Sequence, residues 1–215
     1  MRNIRKSEVW SLLNAKYVYW QKKRVLVKSL QAWLKNRLEN EIGNPNQILE
    51  IGCGKGHTLK QFSKIFRNFT FVGIDNKALK RNKHYNERLQ LLKADILNMP
   101  FENSSFDILL SMKVFHYIGY EDKERERALI ECWKILNEGG RFYMAECFLN
   151  QNYPKNKETD SNNRDLIKLA EFRKMAENIG FKFIKLQFLG VCPVNECNVS
   201  FYGLSFERLS KLKKR

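Results

Sequence analysis

Residues Gln47–Leu59 read Q-I-L-E-I-G-C-G-K-G-H-T-L, and this stretch restricts the fold more than any other. Ile48, Leu49 and Ile51 form a short apolar run broken only by Glu50, the pattern of a strand buried in a parallel sheet. Gly52, Gly54 and Gly56 follow at alternate positions, where a missing Cβ permits left-handed backbone or a close approach by another group. Thr58 and Leu59 then open a helical stretch that continues through Phe62, Ile65 and Phe66. A strand, a glycine turn and a helix start, in that order, place a ligand site at the strand's carboxyl end. A dinucleotide turn would read G-x-G-x-x-G, but His57 stands where its third glycine would fall. The acid at Glu50 is a poor neighbour for a pyrophosphate and a good one for a cation.

Further strands follow at regular intervals. Phe69–Asp75 (F-T-F-V-G-I-D) ends in an acid placed to accept hydrogen bonds from the two hydroxyls of a ribose. Leu89–Ile96 ends at Ala94-Asp95-Ile96. Phe106–Met112 begins beside Asp107 and ends at Ser111-Met112. Glu131–Glu146 reads as a helix, a stop at N-E-G-G, and the strand R-F-Y-M-A-E.

Residues 50–56 match the form E-x-G-x-G-x-G at all four fixed positions, and the later landmarks come in order. In this the sequence resembles the class I S-adenosylmethionine (SAM) dependent methyltransferases. The stretch L-N-M-P-F-E-N-S-S-F-D-I resembles the small-molecule (type 11) subgroup that includes ubiquinone and menaquinone biosynthesis enzymes. The resemblance covers about residues 45–150 well. It implies an α/β fold: a Rossmann-like, mostly parallel seven-stranded sheet with its last strand antiparallel, helices on both faces and an N-terminal helical lid. It further implies SAM as cofactor and S-adenosyl-L-homocysteine as product. Glu50, Gly52, Cys53, Gly54, Gly56, Asp75, Asn76, Asp95, Ile96 and Met112 are the expected cofactor contacts, with the adenine read by the Asp95 side chain and the next backbone amide.

Methyl transfer from a sulfonium is a direct displacement, so holding acceptor and methyl in line can supply roughly 7–11 kcal/mol of the barrier. A base that takes a proton from the acceptor adds about 10²–10⁴-fold. His116, in the loop Lys113-Val114-Phe115-His116-Tyr117, is the best candidate for base or acceptor orientation, because an imidazole can hold or release a proton near neutral pH. Tyr117 and Glu146 are weaker catalytic candidates, and His57 more simply borders the methionine part of the cofactor. The (N/D)-P-P-(Y/F) motif associated with nucleobase amine methylation is absent, Ser111-Met112-Lys113-Val114 standing in its place; so is a Pro-Cys nucleophile.

The remaining segments fit one domain over 1–215, with a lid at 1–46, a cofactor-binding core at 47–149 and a C-terminal part at 150–215. Glu8–Leu38 is helical in pattern, and Tyr17, Tyr19 and Trp20 are candidates to contact the acceptor alongside His116. Asn76–Arg88 reads as a polar, basic helix or loop. Phe148–Asn163 reads as a flexible loop near the pocket, Arg164–Ile179 as an amphipathic helix stopped by Gly180, and Phe181–Leu189 with Ser200–Arg208 as a final strand pair. The five cysteines make no C-x-x-C pair, so packing thiols are expected and no metal site. No run approaches the ~20 apolar residues of a membrane span, and the first residues are too polar for a signal peptide, which leads to a cytoplasmic expectation. The formal charge of +16 gathers near both ends. It makes nucleic acid a possible partner, but no RNA-binding module accompanies it, and a small-molecule acceptor is favoured. Oligomeric state is open.

Overall fold

A computed structural model describes residues 47–77, 79–118, 122–149, 167–191 and 199–210, together with Ala32 and Lys35. The described chain runs β1 (Gln47–Ile51), α1 (His57–Ile65), β2 (Thr70–Ile74), β3 (Lys83–Asn86), β4 (Leu89–Leu92) and β5 (Phe106–Met112). A 3₁₀ turn at Phe115–Tyr117 leads to α2 (Asp122–Ile135), β6 (Leu136–Leu149), α3 (Leu169–Ile179), β7 (Phe181–Val191) and β8 (Val199–Arg208). The strands form one sheet in the order β3-β4-β2-β1-β5-β6-β8-β7. Strands β4, β2, β1, β5 and β6 are parallel, and β8 runs antiparallel to both β6 and β7.

The central strands are buried because they are apolar on both faces. Ile48, Leu49 and Ile51 are at most 1% exposed, and β1 lies between β2 and β5 in register Glu50↔Gly73 and Glu50↔Leu110. Helix α1 covers one face with Leu59 and Phe62, while Ala128, Leu129 and Cys132 of α2 and Phe172 and Ala176 of α3 fill the other. The chain winds one way from β1 to β2 and β4 and the other way to β5 and β6. The crevice at the carboxyl end of β1 is therefore the reversal point where open α/β sheets take their ligands.

Three expectations are corrected. The sheet has eight strands, because part of the Asn76–Arg88 stretch pairs as β3 with β4, antiparallel, in register Lys83↔Leu91. In that stretch Leu79 is buried, but all four β3 side chains are exposed, so a helix there would have had no apolar stripe to bury. Asn side chains tighten the ribbon: Asn86 Oδ1 accepts from the Arg88 N–H at 2.9 Å and Asn82 Oδ1 from the Lys93 N–H at 2.8 Å. Second, the N-E-G-G stop lies within β6: Leu136 pairs with Phe106 and Arg141 with Ile108, so residues 137–140 bulge out opposite Asp107. Third, Phe148 belongs to β6 and is fully buried against Phe172, rather than opening a loop. The rest of that expected loop, and Tyr17, Tyr19 and Trp20, lie outside the described residues.

Candidate functional site

The glycine turn after β1 is built from left-handed backbone, with φ of 68° at Gly52, 57° at Gly54 and 73° at Gly56. At Gly52 a second reason applies, since a Cβ there would lie 2.4 Å from Val114 Cγ2 in the loop after β5. The turn is thus pressed against the loop that carries His116. It is tied to β2 by the Cys53 N–H donating to Ile74 O at 3.0 Å and the Gly54 N–H donating to Asp75 Oδ2 at 2.9 Å. Asp75 Oδ1 takes the Lys77 N–H at 2.9 Å. One strand further out, Asp95 Oδ2 accepts from Asn76 Nδ2 at 2.8 Å and Oδ1 from the Leu97 N–H at 2.9 Å.

A cavity of about 490 Å³ opens over this rim, within the range of small-molecule and cofactor sites. Gly52, Asp75, Asn76, Asp95, Ile96 and Tyr117 line it, with Val114 and Ile118 as apolar wall. Glu50, Cys53, Gly54, Gly56, Met112, His116 and Glu146 are not on that wall. Cys53 points into the core, where its Sγ donates to Gly54 O at 3.7 Å. Burial first, and then the carboxyls of Glu50 and Asp75, push its thiol pKa up, so it stays protonated. Met112 packs on the α1 side of the sheet.

Glu50 is 2% exposed, and its Oε2 has no hydrogen-bond partner. Burial, and secondarily the negative charge of Asp75, push its carboxyl up to about 8. A buried acid held neutral behind a ligand turn is suited to a cationic ligand, which would lower the cost of ionising it.

On the other side of β1, the structure brings two of the sequence candidates together. Glu146 is fully buried on β6, and its Oε2 accepts the Phe115 N–H at 2.8 Å while Oε1 meets His116 Nδ1 at 2.5 Å. A carboxylate only accepts, so Nδ1 is the donor and the tautomer leaves Nε2 as the ring's basic atom. The His116 ring lies 4.0 Å from that of Tyr117, which does line the cavity and is 55% exposed.

Two residues with structural weight in the site lie outside the sequence candidates. Gly73 in β2 must lack a side chain, because a Cβ would lie 2.7 Å from both Cys53 Sγ and Leu91 Cδ2; its signal was a glycine inside an otherwise β-branched and aromatic strand. Lys113 lines the cavity with φ of 59°, a backbone state that carries no sequence signal for lysine.

The residues present fit an adenosyl sulfonium cofactor: carboxylates at β2 and β4 for the ribose and base, a turn with glycine at 52, 54 and 56 after β1, and an orphaned carboxyl oxygen behind it. Among the described residues no group of three or more His, Cys, Asp or Glu side chains is placed to hold a metal, and no helix is long and apolar enough to cross a membrane.

Comparison with known proteins agrees. Residues 49–144 match the methyltransferase domain family model. A sterol 4-C-methyltransferase of Caenorhabditis elegans is 30% identical over 145 residues, covering 64% of this chain and 42% of that protein. A sterol 24-C-methyltransferase of Pneumocystis carinii is 26% identical over 171 residues, covering 76% of this chain and 41% of that one. The chain therefore spans less than half the length of these curated relatives. Among solved structures, geranyl diphosphate C-methyltransferase of Streptomyces coelicolor, in complex with S-adenosyl-L-homocysteine, superposes with a TM-score of 0.67 at 12% identity, over 83% of this chain and 78% of that one; this likeness shows the fold. Over residues 49–144, a little under half of its length, the chain is thus similar to the methyltransferase domain family.

Proposed function

We propose that this protein transfers the methyl group of SAM to a small, largely apolar organic acceptor. The observation that carries the reading is the convergence of Gly52, Asp75 and Asp95 on one cavity, with the His116–Glu146 pair at the next strand ends. The cofactor supplies, when bound, an electrophilic methyl on a sulfonium. Asp75 and Asp95 hold the ribose and the base, and the glycine turn lets the backbone approach the methionyl part. Val114 and Ile118 give the acceptor end an apolar wall. Glu146 fixes the imidazole of His116, which lies against Tyr117 of the cavity wall, and its Nε2 takes a proton, directly or through a water, from an acceptor that must lose one. That role suits an oxygen, a protonated nitrogen, or a carbon that passes through a cation.

Support for an apolar acceptor comes from the relatives, which include methyltransferases of sterols and of phthiotriol dimycocerosates, and from the apolar side of the cavity wall. A screen for S-adenosylhomocysteine release against sterol, isoprenoid and phenolic lipid acceptors tests it. Turnover with one of these classes is expected, and turnover with RNA alone would replace the reading. The RNA alternative draws on the ribbon at residues 76–93, which carries a majority of Lys and Arg over Glu. Binding selectivity that survives rising salt separates a specific RNA enzyme from a merely basic surface.

A further inference from the structure

Lys113 is one of two non-glycine residues with left-handed backbone among the described residues, φ 59° against 54° at Ser104. Ser104 sits in an exposed turn before β5, whereas Lys113 stands at the carboxyl end of β5 and lines the cavity. Its N–H donates to Ala145 O at 2.9 Å, which holds the chain in this costly turn. Strained backbone of this kind persists where the surroundings enforce it, and it gathers at ligand sites.

The position along the rim says what the lysine meets. The ends of β4, β2, β1 and β5 are consecutive and carry Asp95, Asp75, Gly52 and Lys113 in that order. With neighbouring strands about 4.8 Å apart, Lys113 stands on the order of 10 Å from the ribose acid and 14 Å from the adenine acid. A ligand whose base and ribose occupy β4 and β2 thus lays its far end at β5. The other charged groups on the cavity wall are Asp75, Lys77, Asp95 and Glu124. Lys77 follows the ribose acid on β2 and belongs to that end, which leaves Lys113 as the cation at the transfer end among the described wall residues.

We propose that Lys113 is a specificity-determining residue that binds an anionic group at the β5 end of the cavity, either the α-carboxylate of the cofactor or an acidic group on the acceptor. The proposal rests on the cofactor reading above. Calorimetric titration of wild type, K113N and K113R tests it with three probes: S-adenosylhomocysteine, 5′-methylthioadenosine, which lacks the amino acid, and inorganic diphosphate added to protein saturated with S-adenosylhomocysteine. Removing a charge-assisted hydrogen bond should weaken affinity roughly tenfold or more. K113N weakened by that factor for S-adenosylhomocysteine but not for 5′-methylthioadenosine assigns the cofactor carboxylate. K113N that binds both nucleosides normally and diphosphate poorly assigns an acidic acceptor. In either case K113R retains binding, and the thermal midpoint of K113N matches or exceeds that of wild type, because asparagine tolerates left-handed backbone better than lysine. Wild-type affinities of K113N for all three probes would overturn the assignment. Failure of wild type to bind either nucleoside would overturn the cofactor reading instead.

Discussion

Two buried glutamates flank the site, and they differ in one respect. Glu146, on β6, has a partner for each oxygen in the Phe115 N–H and His116 Nδ1. Glu50, on β1, has an Oε2 with none and is held neutral by burial. An unmet buried oxygen costs about 1–3 kcal/mol, and Glu50 carries that cost directly behind the glycine turn. Glu146 is part of a finished device that sets a histidine. Glu50 is an unfinished one, and on the proposed reading a cationic ligand completes it.

The contrast is broken most severely at Glu146. Glu146→Gln still accepts the Phe115 N–H but no longer fixes the His116 tautomer. Turnover should fall about 10²–10⁴-fold with little loss of thermal stability, and His116→Ala should fall by a similar factor. Wild-type rates in both would reduce the pair to a wall element.

Glu50 sharpens the contrast through pH. Its carboxyl in the folded protein titrates near 8 instead of the ordinary 4.5, so between those values the folded state holds a proton that the unfolded state has lost. This contribution to stability is full below pH 4.5 and is lost as pH rises toward 8, with a slope of up to about 1.4 kcal/mol per pH unit. Urea denaturation of ligand-free protein across this window should show the decline, and Glu50→Gln should flatten it. An unchanged slope in that variant would mean that another group titrates.

The turn between the two glutamates responds through backbone. Gly52→Ala meets both the positive φ and Val114, and should cost about 1–3 kcal/mol in chemical denaturation. Gly54 also has positive φ, but a Cβ there meets nothing within 4 Å, so Gly54→Ala should cost less than Gly52→Ala. Equal losses would show that only φ matters.

The cofactor half of the fold was legible because local chemistry and tertiary role coincide there. An apolar run ended by glycines at 52, 54 and 56 has few folded alternatives, and Asp75 and Asp95 fall at strand ends that the hydrophobic pattern already marks. The contact between His116 and Glu146 was not legible. Thirty residues separate them, and only the parallel pairing of β5 with β6 brings them together. Strand β3 was missed because Lys83–Asn86 has no apolar alternation; its pairing with β4, and not its own propensity, makes it a strand. Lys113 was passed over since nothing in a lysine's identity signals left-handed backbone.

The central claim is that an adenosyl cofactor lies across the ends of β4, β2 and β1. Isothermal titration of S-adenosylhomocysteine into wild type and Asp75→Ala tests it most directly. The account predicts one site in wild type and at least tenfold weaker binding in a folded Asp75→Ala. Equal affinity in the two proteins, or no binding to wild type, would contradict it.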